Sequence, residues 1–250
     1  MSLRELLKQR EEQREARAES SFPEGVSRYV RAGRYGEINA DGRNLVILAE
    51  PNDWHAYFVH EDSVFEGGST THFFQKHTCL HVPNEVGADI RDYLSPGTAE
   101  QCPTCASMTK PGKQRRMYFL IPVYDPEYDD YRVIDMKEFH AMNLIKAYDS
   151  IERTAKKFMP DYSLVGQPVK FFQDDKTYSM TQADMSEEEE DEAIEKAKRF
   201  IGTLELHKDM FMREREELVD IIRESQEGHL DKSVVEGETS KKDLDGQDTH

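Results

Sequence analysis

The sequence predicts a mixed α+β chain whose core is a β-barrel or sandwich with helical segments on either side. Two observations carry this. Between Tyr35 and about Gln182, seven short β-like runs are separated by turn residues, and one long stretch of helical periodicity interrupts them. Outside that region the texture is charged and poor in aromatic residues.

Taken in order, residues 2–19 lack Gly and Pro and are rich in Leu, Arg, Glu, Gln and Ala, with charge pairs at helical spacing, so they read as a solvated helix. Ser20 to Gly25 breaks it. The β-like runs are Asn44 to Ala49, His55 to His60, His72 to Phe74, Met117 to Tyr124, Tyr131 to Ile134, Val169 to Phe172 and Thr177 to Met180. A helix is expected over Asp135 to Met159, stopped by Pro160. Ser186 to Asp191 then opens an acidic helix, and an apolar stripe from Ile194 through Leu204, Phe211 and Leu218 to Ile222 predicts that it runs to Glu224. The polar remainder, 225–250, is expected to be disordered. The chain thus divides into an arm (1–24), a core (25–182), an acidic amphipathic helix (183–224) and a tail (225–250).

Hydrophobic residues make up 37% and charged residues 33% of the 250, with a mean hydropathy of -0.80, so a uniformly core-forming chain is excluded. No stretch approaches the roughly 18 apolar residues of a membrane span, and the charged opening has no apolar signal core, so a soluble intracellular protein is expected. The net charge of -17 argues at first against nucleic acid. Its distribution changes that reading. Residues 184–250 hold 22 acidic and 10 basic side chains, whereas residues 1–183 hold 28 and 23. Within the latter, Val26 to Gly36 and Ala106 to Pro122 carry cations and no acid.

Cys102-Pro-Thr-Cys105 is a C-x2-C knuckle that can grip one tetrahedral ion with two thiolates. Cys79, the third cysteine, lies among His72, His77 and His81, with His55 and His60 upstream. Three thiolates and one imidazole make a closed Cys3His set suited to structural zinc, whereas a catalytic zinc keeps an open position. The deaminase pattern of H-x-E ahead of P-C-x-x-C is absent, and the βαβ context of a thioredoxin-like redox pair is absent too. By local spacing His77 or His81, each two residues from Cys79, could complete the set, or His60 could do so from the end of a strand.

The two acid-free stripes interleave cations with rings: Arg28, Tyr29, Arg31, Arg34 and Tyr35 in one, Lys110, Lys113, Arg115, Arg116, Tyr118 and Phe119 in the other. Cations that follow phosphates and rings that stack on bases suit a single strand read without regard to sequence, DNA or RNA alike. Alternation within a strand would equally send Tyr118 or Phe119 into a core. No Walker A loop, nucleophile elbow or paired carboxylates stand out, so no enzyme is expected.

The strand Asn44 to Ala49, the run ending FVH at His60, a distant Cys79, Cys102-Pro-Thr-Cys105, a basic segment, the strand YFLIPVYDP and the late segment Asp161 to Met180 together resemble the zinc-containing, helix-destabilising single-stranded-DNA-binding protein of tailed bacteriophages, T-even type. The resemblance covers roughly residues 25–182. It implies an OB-fold core with an inserted zinc subdomain at about residues 60–110, and it selects His60 to join Cys79, Cys102 and Cys105 as zinc ligands. It further implies coating of single strands in phage replication, recombination and repair, in the cytoplasm of an infected host cell. An N-terminal arm would mediate self-association along DNA, and an acidic C-terminal region would recruit replication or recombination proteins. The chain departs from that pattern in its longer interval from Cys79 to Cys102, its mixed-charge arm and its diffuse tail. The rival expectation is a zinc-stabilised protein-interaction or transcription-modulating factor without DNA affinity, acting through the apolar stripe from Ile194 to Ile222.

Overall fold

A computed structural model describes residues 22–23, 26–60, 77–107 and 115–227. The expected N-terminal helix, the run His72 to Phe74 and the tail from residue 228 lie outside the described residues. Among the described residues eight strands form one mixed sheet: β1 (Tyr29–Val30), β2 (Arg43–Ile47), β3 (His55–His60), β4 (His77–Thr78), β5 (Arg116–Asp125), β6 (Asp130–Lys137), β7 (Pro168–Asp174) and β8 (Thr177–Gln182). The helices are α1 (Pro103–Ser107), α2 (Glu138–Ala155), α3 (Glu187–Ala197) and α4 (Arg215–Glu227). No helix among the described residues is long and apolar enough to cross a membrane.

The strands run β1-β6-β5-β2-β7-β8, with β3 paired to β5 and β4 to β3. β5, ten residues long, organises the sheet: one edge pairs with β6 along most of its length, while the other takes β3 at its start and β2 at its end. The sheet stays open, because the described β1 and β8 end the row without pairing to each other, and the closure expected of a barrel is not made.

Alternation along β5 covers both faces. Phe119, Ile121 and Val123 face a core of Leu45, Ile47, Trp54, Ile134, Phe171 and Met180 that α2 roofs with Ala141, Leu144 and Tyr148, residues at helical spacing. Tyr118 and Leu120 face the other way, against the cysteines, and Tyr124 packs with Val46, Leu48, Ala193 and Ala197 under α3. A sheet buried on both faces explains why β5 reads as a nearly continuous apolar run. The turns joining β5 to β6 and β7 to β8 hold Asp129 and Asp175 at φ of 51° and 53°, a conformation Asp tolerates because its short side chain bonds locally.

Several boundaries differ from expectation: α2 ends at Ala155, four residues before Met159, and α4 runs to Glu227, so residues 225–227, expected to be disordered, continue a helix. Asp135 to Lys137 extend β6, so α2 starts at Glu138; the ladder bonds to Tyr118 through Leu120 outweigh the helical pattern there. Tyr29–Val30 form a short strand parallel to β6, inside the first basic stripe. The acidic helix is not continuous to Glu224. α3 opens on a capping box between Ser186 and Glu189 and stops after Ala197, and Gly202 at φ 72° turns the chain. The chain then returns through Leu206 and Met210, which are buried against the cysteine-bearing loops, before α4 begins. Burying those two residues on the domain requires a bend that one straight helix would not allow.

Candidate metal centre

β3 ends at His60, and β4, paired to it at His60 and His77, leads directly into Cys79. The amide of Cys79 donates to the Phe58 carbonyl at 2.9 Å, which holds the first thiol against the strand end. The other two thiols come from the knuckle. Gln101 and Cys102 amides both bond the Thr98 carbonyl, and Pro103 starts α1 where its missing N–H removes no helical bond. One turn of α1 then brings Cys105 to the side of Cys102.

Nε2 of His60 lies 3.5 Å from Cys102 Sγ and 3.6 Å from Cys105 Sγ, and Cys79 Sγ lies 3.5 Å from Cys105 Sγ. All four donor atoms fall within 4.8 Å of one another, and their residues are between 0 and 6% exposed. Zinc–sulfur bonds of about 2.3 Å and a zinc–nitrogen bond of about 2.05 Å at tetrahedral angles would separate ligands by about 3.5 to 3.8 Å. The observed spacing fits that, and it is far too long for a disulfide of about 2.05 Å; all three cysteines are free thiols. The donor set therefore fits one tetrahedral cation. Four protein donors leave no position for a substrate, which is the arrangement of a structural site.

Electrostatics agree with that chemistry. The thiols act on one another: hydrogen bonds from Cys105 and Cys79 pull Cys102 below its usual range, while bonding to Cys102 pushes Cys105 and Cys79 up. A dication held among them would allow all three to ionise together.

The surroundings orient the donors. His77 Nε2 lies 2.9 Å from the buried hydroxyl of Thr104, between the knuckle cysteines, and its ring centre is 5.1 Å from that of His60. Gly97 bonds Cys105 through its backbone, and a Cβ on it would sit 2.8 Å from Cβ of His81, so a side chain there would push the loop off its sulfur. His81 places its ring 5.0 Å from that of Tyr93. Neither His77 nor His81 contributes to the four-donor group.

The residues of the two basic stripes are dispersed. Arg28 is 3.3 Å from Asp130 and lies over the Tyr131 ring at 4.0 Å, so β6 holds it. Tyr29 is turned inward, its hydroxyl donating to the Asp209 carbonyl. Arg31 bonds Glu37 through its amide. Arg34 lies 5.6 Å over the ring of Tyr35, which is 80% exposed. Tyr118 is core at 1% exposure and Phe119 is partly buried beneath α2, so strand alternation, with both faces covered, takes these rings from the surface. Arg116 is exposed, while Arg115 is tied to the metal centre. Lys110 and Lys113 lie outside the described residues. Residue spacing does not signal Thr104, Gly97 or Arg115 as parts of the site, because each reaches it only through tertiary packing.

Fold and site together define a class: a mixed α+β protein with a buried Cys3His centre fit for one metal ion. Beyond that class, comparison with known proteins finds no family model, no curated protein and no solved structure that matches the chain.

Proposed function

We propose that the protein is a non-enzymatic, sequence-independent binder of single-stranded DNA, whose OB-like β core is stabilised by zinc at His60, Cys79, Cys102 and Cys105. The observation that carries the reading is the closed donor set at the end of β3, which supports a structural role for the metal and leaves the surface for binding. The arrangement of β5 shared between β2 and β3 suits an OB-like core. The exposed pair Arg34 and Tyr35 offers a phosphate contact beside a stacking ring, with Arg116 a further exposed cation. Coating single strands would lower their free energy relative to duplex, so helix destabilisation follows by linkage without a nucleotide cofactor. The setting is phage replication, recombination and repair in the host cytoplasm, with the acidic C-terminal region recruiting partner proteins.

A second reading has its own observation. Phe139, Met142, Phe158 and Met159, on and just after α2, are 45 to 83% exposed, as a protein-interaction module would require.

The test is a fluorescence titration with a mixed-sequence single strand and its duplex, at two salt concentrations, using zinc-loaded and chelator-stripped protein. The proposal expects tight binding to the single strand alone, weakening with salt and lost on stripping. Failure to bind at low salt refutes it and favours the interaction module.

A further inference from the structure

His60 sits in a strand ladder, the knuckle cysteines are set by α1, and the backbone of Cys79 is fixed by its amide bond to the Phe58 carbonyl. The Cys79 sulfur itself lies in the loop after the two-residue β4, and a distant side chain reaches it. Arg115, immediately before β5, places Nη1 3.6 Å from Cys79 Sγ and donates from the same nitrogen to the His81 carbonyl at 2.9 Å. Its Nη2 donates to the carbonyls of Tyr93 and Ser95, and its guanidinium lies 4.0 Å over the Phe58 ring. One planar cation thereby joins β3, the loop bearing Cys79 and the segment leading to the knuckle.

Its charge completes the centre. Three thiolates, a neutral imidazole and a dication sum to one net negative charge, buried where such a charge is costly unless paired. The guanidinium brings that sum to zero, and its hydrogen bond to sulfur tempers the donor strength of Cys79.

We infer that Arg115 is a positioning residue of the metal centre, orienting and charge-compensating the Cys79 thiolate, and not a phosphate ligand. This inference rests on the metal-binding reading of the site. Lysine would keep the charge but not the fork that reaches three carbonyls and a sulfur, so Arg115→Lys should fall between wild type and Arg115→Ala.

The experiment loads wild type, Arg115→Ala, Arg115→Lys and the control Arg153→Ala, exposed on α2, with zinc and with Co2+, in the absence of nucleic acid. Competition with a chromogenic chelator should show metal affinity about 10-fold to 100-fold weaker in Arg115→Ala, a smaller loss in Arg115→Lys, and none in Arg153→Ala. With Co2+, the thiolate-to-metal charge-transfer band should move to lower energy in Arg115→Ala, a change that loosening of the loop alone would not produce. If Arg115→Ala does not fold, the affinity and band of Arg115→Lys decide. Affinity within twofold of wild type and an unmoved band would overturn the inference. Wild-type protein that takes up neither metal would overturn the site reading and this inference together, an outcome distinct from a null effect in the variants alone.

Discussion

Arg132 and Asp125 pair at 2.9 Å across the β5–β6 hairpin with each side chain only 1% exposed. Around them Arg43 bonds both oxygens of Asp125, Glu37 bonds Arg132, and Arg132 also donates to the carbonyls of Ser27 and Tyr29. The network ties β1, β2, β5 and β6 at the end of the sheet away from the metal, with every buried charge opposed by another.

Arg132→Met should therefore be severely destabilising. It leaves the buried carboxylate of Asp125 with less compensation, which costs about 3 to 5 kcal/mol. Urea unfolding monitored by circular dichroism measures this; a loss below about 1 kcal/mol would show that the network contributes little.

Metal removal should be felt in the C-terminal segment. Arg215 donates to the carbonyls of Ala99 and Glu100, just ahead of the knuckle, Leu218 is fully buried, and Leu206 and Met210 share the packing of the cysteines. Hydrogen exchange read by mass spectrometry should show faster exchange in both 98–106 and 206–223 after chelation, with the β7–β8 hairpin unchanged. Exchange confined to 98–106 would show that the segment docks independently of the metal.

His55 should make stability depend on acid. Among the described residues its buried Nε2 has no partner, and burial, with a smaller contribution from His207 and against a backbone bond to Pro83, pushes its pKa down to about 4. Between that value and the unfolded value near 6.5, the unfolded chain binds more protons than the native one, so stability falls as pH falls through this window. From pH 7 to pH 5 the loss assignable to His55 is about 1 to 2 kcal/mol. Urea titrations of metal-stripped wild type and His55→Gln should show the wild type losing that much more than the variant; equal slopes would refute the assignment.

Much of the architecture is legible along the chain because it depends on local pattern. Met117 to Tyr124 lies within β5, and the periodicity of Ala141, Leu144 and Tyr148 marks the helix that roofs the core. Less legible are places where a residue type fits two environments. Tyr118 and Arg115 belong to one stretch of rings and cations, yet one is in the core and the other reaches a sulfur, because whether a ring or a guanidinium meets solvent depends on what covers the sheet. The apolar stripe after Ala193 has helical spacing, but docking of Leu206 and Met210 bends the chain at Gly202.

By itself the sequence determined the mixed α+β class, the knuckle chelate and the separation of an acidic C-terminal part from a mildly charged core, since composition, turn residues and two-residue spacing act over short distances. Tertiary structure alone decided that the sheet stays open; residue spacing left His60, His77 and His81 open, the resemblance pointed to His60, and the folded chain puts His60 with the three thiols. His60 and Cys102 are 42 positions apart, and only the pairing of β3 with β5 and β4 and the folding back of the knuckle bring their donor atoms to 3.5 Å. Contacts between positions that far apart are set by how strands pair and pack, which local pattern does not encode.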